Sequence, residues 1–221
     1  LKPMPEKHKG LTDIETIYRK RYLDLMSNPE SREVFIKRNK IIKSLRTNLE
    51  SNGFLEVETP MMHPIPGGAN ARPFETHHNA LDKKLYLRVA PELYLKRLLV
   101  GGYEKVFEIN RNFRNEGIST IHNPEFTMLE FYEAYGDLQR TAKFIQKLIQ
   151  DSILAVNDSL KITYDQKNIN FEKDFEIRSL KELVKEELNV ESLENEEDIF
   201  DLAKKKKIKI EKNWGWGKVL L

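Results

Sequence analysis

Cysteine is missing from this chain altogether, which removes disulfide scaffolds, thiolate zinc sites and cysteine nucleophiles together and fits a reducing compartment. Net charge is nearly missing too: Lys plus Arg number 37 against 35 for Asp plus Glu, leaving +2. The whole-chain field therefore gives no argument for nucleic acid, and any RNA contact must be local. No apolar run reaches the ~20 residues that a membrane span needs, and residues 1–10 (LKPMPEKHKG) form a Pro/Lys stretch without a signal-peptide core. The cytoplasm is the default compartment. No internal repeat is visible, which excludes repeat architectures. What is present is a globular balance, 39% hydrophobic and 33% charged over 221 residues, enough for one sizeable core and a smaller satellite subdomain. The first residue is leucine rather than methionine. The chain therefore reads as cut from a longer polypeptide, with residues 1–10 as a linker entering the domain.

Apolar residues recur at near-helical spacing over 13–25 (Ile14, Ile17, Tyr18, Leu25) and over 32–52 (Phe35, Ile36, Ile41, Ile42, Leu45, Leu49). Two amphipathic helices are predicted. Asn52-Gly53 stops the second, and Phe54-Leu55-Glu56-Val57-Glu58 alternates as a half-buried strand until Pro60. Residues 61–81 hold Pro64, Pro66, Gly67, Gly68 and Pro73 and read as an unusually long loop, a feature commonly functional in compact domains. A strand over 84–89 and a helix over 92–100, with Pro91 in its first turn, follow. Strands over 105–112 and 126–132 then flank an arginine-bearing loop at 115–124. Residues 141–157 place Phe144, Ile145, Leu148, Ile149 and Ile153 on one helical stripe. From 161 the composition turns to Lys, Glu and Asn, with helices expected at 179–188 and 195–206. This region, 161–212, reads as an inserted or peripheral subdomain. Its lysine run at 204–207 reads as a solvated helix face ahead of an RNA contact. Residues 213–221, with Trp214-Gly215-Trp216-Gly217, read as a return toward the core of 11–160.

The chemistry concentrates between Gly67 and Tyr132. On an extended backbone Arg114 and Glu116 leave from one face. A guanidinium forks onto phosphate oxygens and a carboxylate accepts from an amino group such as that of adenine, so the pair suits a nucleotide. An edge salt bridge is the plainer reading. Phe126, after His122-Asn123-Pro124-Glu125, offers a ring for a base to stack on, or simply a core side chain. Glu130 and Tyr132 share a face of the second strand. A glutamate inside an otherwise apolar strand must reach solvent or meet a positive charge. Glu92 opens its helix, where it serves the helix dipole without any ligand, and Gly67-Gly68 permits close backbone approach or makes a turn.

At this point the strings resemble a family. Gly53-Phe54-Leu55-Glu56-Val57-Glu58-Thr59-Pro60 looks like motif 1 of class II aminoacyl-tRNA synthetases, and Phe113-Arg114-Asn115-Glu116, with its loop closing at Phe126, looks like their motif 2. Between them PGGANARPF (66–74), THHNALD (76–82) and APELYLKRL (90–98) are similar to lysyl-tRNA synthetases. The resemblance implies an α+β fold, a largely antiparallel sheet flanked by helices, with motif 1 forming a homodimer interface. It implies ATP-dependent activation of L-lysine and its transfer to tRNA(Lys). Arg114 would bind the lysine carboxylate and the α-phosphate of ATP. Asn115, Glu116, His122 and Asn123 would hold the nucleotide, and Phe126 would stack on the base. Lysine would lie against Gly68, with Glu92 near its α-amino group and Glu130 and Tyr132 completing the pocket.

Departures from the family pattern accompany the likeness. Motif 3, a glycine-rich segment ending in arginine, does not occur, nor do the acidic residues that hold Mg2+, whose ligands are expected beyond residue 221, so no metal ligand is assigned here. Ile121 stands where many relatives have an arginine, which removes one expected γ-phosphate contact. Two alternatives stay open: a paralogue that attaches lysine to a protein, and a non-catalytic dimerisation or regulatory module.

Overall fold

The computed structural model describes residues 11–119, 121–190, 193 and 195–221, so the expected linker at 1–10 lies outside the described residues. Contacts divide the chain into a first unit that ends at Lys173 and a second spanning Asp174–Leu221. The composition change expected at 161 therefore falls inside the first unit.

Helix α1 (Ile14–Arg19) starts where the Asp13 carboxylate accepts the Thr16 N–H at 2.9 Å. The single helix expected over 13–25 is in fact two. Lys20 leaves helical geometry at φ −128°, and α2 (Arg21–Ser27) begins after it. Asp24, buried, organises this corner by accepting from Arg21 at 2.7 Å, Asn28 at 2.6 Å and Ser31 at 2.9 Å. The bonds from Asn28 and Ser31 tie the end of α2 to the start of α3. Helix α3 (Pro29–Ser51) has proline in its first turn, where the missing N–H costs nothing, and Gly53 turns the chain out at φ +81°.

Strand β1 (Leu55–Glu56) follows, then β2 (Met62–His63), β3 (Glu75–His78), a 3-10 turn (Asn79–Leu81) and β4 (Lys83–Leu87). The stretch 61–81 is thus not one loop. Its ends are strands that pair antiparallel with β4 in the order β2-β4-β3. The prolines and glycines occupy only the middle. Helix α4 (Glu92–Val100) spans the predicted residues, with Pro91 at its N-cap. Strands β5 (Lys105–Phe113) and β6 (Glu125–Glu133) form a nine-residue antiparallel ladder, and β1 joins β5 in parallel, giving the order β1-β5-β6. Helix α5 (Leu138–Leu154), capped by Asp137, covers this sheet. A hairpin of β7 (Lys161–Tyr164) and β8 (Lys167–Asn170) closes the unit through Asp165 and Gln166, both at positive φ. The hairpin was not anticipated, because Asp-Gln lacks the glycine that usually marks such a turn.

One core holds these layers together. Leu49 from α3, Phe54, Phe107 from β5 and Leu148 from α5 are buried, with Leu129 and Phe131 of β6 and Phe144 of α5 packed around them. The Phe54 ring stacks on Phe144 at 5.4 Å and meets Phe131 edge-on at 5.5 Å. Both geometries are favourable for aromatic pairs.

The second unit has its own small core. Helices α6 (Leu180–Leu188), α7 (Glu196–Lys205) and α8 (Trp216–Leu220) surround buried Leu193, Ile199, Ala203 and Val219. A reciprocal Ser179–Glu182 capping box starts α6, and the Asn195 side chain caps α7. Lys204 and Lys205 sit in the last turn of α7, where they oppose the negative helix end. No helix among the described residues is long and apolar enough to cross a membrane.

Candidate functional site

Alternation along the long ladder decides which side chains meet. Phe107 and Ile109 of β5, with Leu129 and Phe131 of β6, enter the helix-side core. Glu108, Asn110 and Asn112 therefore face the opposite side, together with Phe126, Met128, Glu130 and Tyr132. The register confirms the pairing: Glu108 lies across from Glu130, Asn110 from Met128 and Asn112 from Phe126.

At one end of this face the loop between β5 and β6 forms a cavity of about 250 Å³ lined by Arg114, Glu116, Gly117, Ile121, His122, Asn123, Pro124 and Phe126. Extended backbone is not what joins Arg114 and Glu116, because β5 ends at Phe113. The closing bond is Arg114 N–H to the Pro124 carbonyl at 2.8 Å, which seals the loop at its root. Arg114 lays its guanidinium 5.2 Å from the centre of the Phe126 ring, so Phe126 is half-buried beneath a cation rather than part of the core. Among the described residues the buried Arg114 Nε and Asn112 Oδ1 have no hydrogen-bond partner. Such orphaned groups are costly unless something else supplies the bond, and for a guanidinium N–H that something is an anion. Asn115 does not line the cavity; its backbone N–H donates to the Arg72 carbonyl at 2.7 Å and ties the 66–74 string to the loop. His122 Nδ1 pairs with Ser119 Oγ at 2.7 Å.

Farther along the same face Glu130 accepts from the Tyr132 hydroxyl at 3.1 Å. Among the described residues no lysine or arginine forms an ion pair with it. Burial pushes the Glu130 carboxyl above the ordinary carboxylate range; the Tyr132 hydroxyl and Arg88 oppose the push, and the Glu92 and Glu108 carboxylates add to it. Burial, then the Glu130 charge, pushes the Tyr132 phenol upward as well. Glu92 comes from the first turn of α4 and bonds Lys96 at 2.5 Å. Gly68, at φ +91°, packs so closely that a Cβ there would lie 3.1 Å from Glu92 Cβ and 3.3 Å from Ala90 Cβ. Glycine is required on both counts. Gly68, Glu92, Glu130 and Tyr132 thus form a second cluster, anionic, outside the loop cavity.

Between strands lies a pair that the residue reading missed. Arg88, just after β4, and Glu108 are each 1% exposed and joined at 2.7 Å. Thr59 Oγ1 also donates to Glu108 at 2.6 Å, and Arg88 Nε donates to the Arg111 carbonyl at 2.9 Å. The signal was available: Glu108 sits in the apolar run Val106-Phe107-Glu108-Ile109, the same pattern that singled out Glu130.

A family model for class II tRNA synthetases (D, K and N) matches residues 13–213. The chain belongs to that family. All the residues of both clusters fall within the matched span. Lysine-tRNA ligases are among the similar proteins: that of Carboxydothermus hydrogenoformans is 54% identical over all of this chain and 46% of its own length. That of Syntrophomonas wolfei is 56% identical over 92% of this chain and 42% of its own length, and that of Neisseria gonorrhoeae 59% over 84% and 37%. The chain spans less than half the length of these curated relatives. In this synthetase chain no group of three or more His, Asp or Glu side chains among the described residues is placed to hold a metal ion.

Proposed function

We propose that the first unit is the ATP- and amino-acid-binding part of a lysine-tRNA ligase, which activates L-lysine as lysyl-adenylate for transfer to tRNA(Lys). The observation that carries this reading is one sheet face with a partner-seeking guanidinium at one end and an unpaired half-buried carboxylate at the other. ATP sits in the loop cavity, its base against the Phe126 ring and near Glu116, His122 and Asn123, with Asn115 shaping the loop. Lysine sits between Gly68, Glu92, Glu130 and Tyr132, its cationic groups toward the two carboxylates.

In the reaction a lysine carboxylate oxygen attacks the α-phosphorus, the Pα–O bond to the β-phosphate breaks, and pyrophosphate leaves with that electron pair. No general base is needed, because the nucleophile is already an anion. Arg114 holds the two anions together and offsets the charge that builds at phosphorus. This depends on position rather than on proton transfer.

Val34, Phe35 and Ile36 of α3 and Leu55 of β1 are exposed apolar residues, which suits a homodimer interface through motif 1. A cytoplasmic location is part of the same proposal, in keeping with a chain that carries no cysteine. The Lys- and Glu-rich second unit carries none of the site residues, as suits a separate subdomain. A chain spanning under half of its relatives should bind ATP and lysine weakly and form little adenylate. ATP- and lysine-dependent thermal shifts, with lysine-dependent exchange of pyrophosphate into ATP, test this. No shift with either ligand refutes the site, and exchange at the rate of an intact lysine-tRNA ligase refutes the expected weakness.

A further inference from the structure

The mechanism above makes no use of Arg88 or Glu108, although both are fully buried charges and buried charge is costly unless its placement is exact. Resting on the proposed lysine pocket, we propose that the Arg88–Glu108 pair is a positioning device that sets the pocket's charge: Arg88 cancels Glu108, leaving Glu130 free to act as the carboxylate that receives a substrate ammonium.

The geometry supports each part. Glu108 stands directly across the ladder from Glu130, a distance at which like charges repel. Left alone it would make the pocket a cluster of three carboxylates with Glu92, and burial would answer by protonating one of them. Arg88 Nη1 meets Glu108 at 2.7 Å, while Thr59 Oγ1 at 2.6 Å and Asn110 Nδ2 at 3.2 Å occupy more of its lone pairs. Glu108 is thereby satisfied within the protein. The charged or titratable groups acting on Glu130 come from every neighbouring element: Glu92 of α4, Arg88 after β4, Glu108 of β5 and Tyr132 of its own strand. Of these only Arg88 is a cation. Its backbone also accepts from Phe113 N–H at 2.9 Å, so the same residue braces the root of the Arg114 loop.

The test is a carboxyl-carbon NMR titration of the chain labelled at glutamate, with the Glu130 signal assigned by its loss in Glu130→Gln. No ligand is required, so the outcome is separable from the lysine reading, which fails instead if wild-type chain shows no response to added L-lysine. Glu108→Gln leaves the Arg88 charge uncancelled and lowers the Glu130 midpoint by about one to two pH units, from a Coulomb interaction at about 6 Å in an effective dielectric of about 20. Arg88→Met does the opposite: Glu108 and Glu130 titrate as a coupled pair whose upper step lies above the wild-type midpoint. The double variant Arg88→Met/Glu108→Met, which buries no unpaired charge, restores the wild-type midpoint. It also serves where either single variant fails to fold. A structural role alone would move both single variants in the same direction or leave the midpoint unchanged, and either result, or a double variant far from wild type, overturns the proposal.

Discussion

Replacing Glu130 by glutamine tests the anionic cluster directly, because the change keeps the side chain's shape and its link to Tyr132 while removing the charge. The magnitude follows from the setting. A substrate ammonium about 4 Å from a carboxylate in an effective dielectric of about 20 gains about 4 kcal/mol. Glu130 is only half-buried, and solvent screening halves that figure to about 2 kcal/mol, or roughly a 30-fold loss of lysine affinity. In the proposed reading ATP occupies the loop cavity, which Glu130 does not line, so its affinity should stay within about twofold. Calorimetric titration of wild type and variant with L-lysine, with ATP, and with norleucine, which lacks the ε-ammonium, separates the contributions. The pH dependence carries a definite sign. Burial raises the Glu130 pKa in the folded protein, so burying the neutral acid costs little below the ordinary carboxylate range. A stability penalty develops as pH rises through the raised value. If lysine is received by the charged form, as proposed, wild-type affinity should fall as pH drops into that window. The glutamine variant should show neither the penalty nor the fall. Lysine affinity within threefold of wild type, or an equal loss for ATP, would refute the assignment of Glu130.

Other perturbations probe the remaining parts. Gly68→Ala forces a Cβ to 3.1 Å from Glu92 Cβ at a backbone φ of +91°; it should weaken lysine binding more than tenfold and ATP binding little, as read by the same titrations. Phe126→Leu removes the ring beneath Arg114 and should weaken a fluorescent ATP analogue by about 1–3 kcal/mol, the range measured for base–aromatic stacking. Arg114→Lys keeps the charge but loses the forked donors, including the buried Nε; lysine-dependent pyrophosphate exchange should drop at least tenfold with lysine affinity less affected. Phe54→Ala empties the centre of the aromatic cluster and should cost about 3–5 kcal/mol in urea unfolding of the first unit.

Much of this molecule was legible as a string. The stripe of Phe144, Leu148 and their neighbours fixed α5 and its buried side, and Ser179 and Asn195 marked the starts of α6 and α7, because capping and periodicity act within a few residues. The same locality explains why Glu130 and Tyr132 were rightly placed on one face: the pleat alternates whatever the strand pairs with. Errors arose where a distant partner decided the outcome. Residues 61–81 contain strands only because β4 offers its edges to both ends of that stretch. The corner between α2 and α3 is held by hydrogen bonds that Asp24 makes with Asn28 and Ser31 of the next helix start. Arg114 and Phe126 meet because the loop folds back on Pro124. The deepest difference concerns charge. Composition announced near neutrality, yet only the tertiary structure could pair Glu108 with Arg88, twenty residues away in sequence and 2.7 Å in space, and leave Glu130 without an ion pair among the described residues. Local sequence sets which way a side chain points; which charge it meets there depends on segments that only folding brings together.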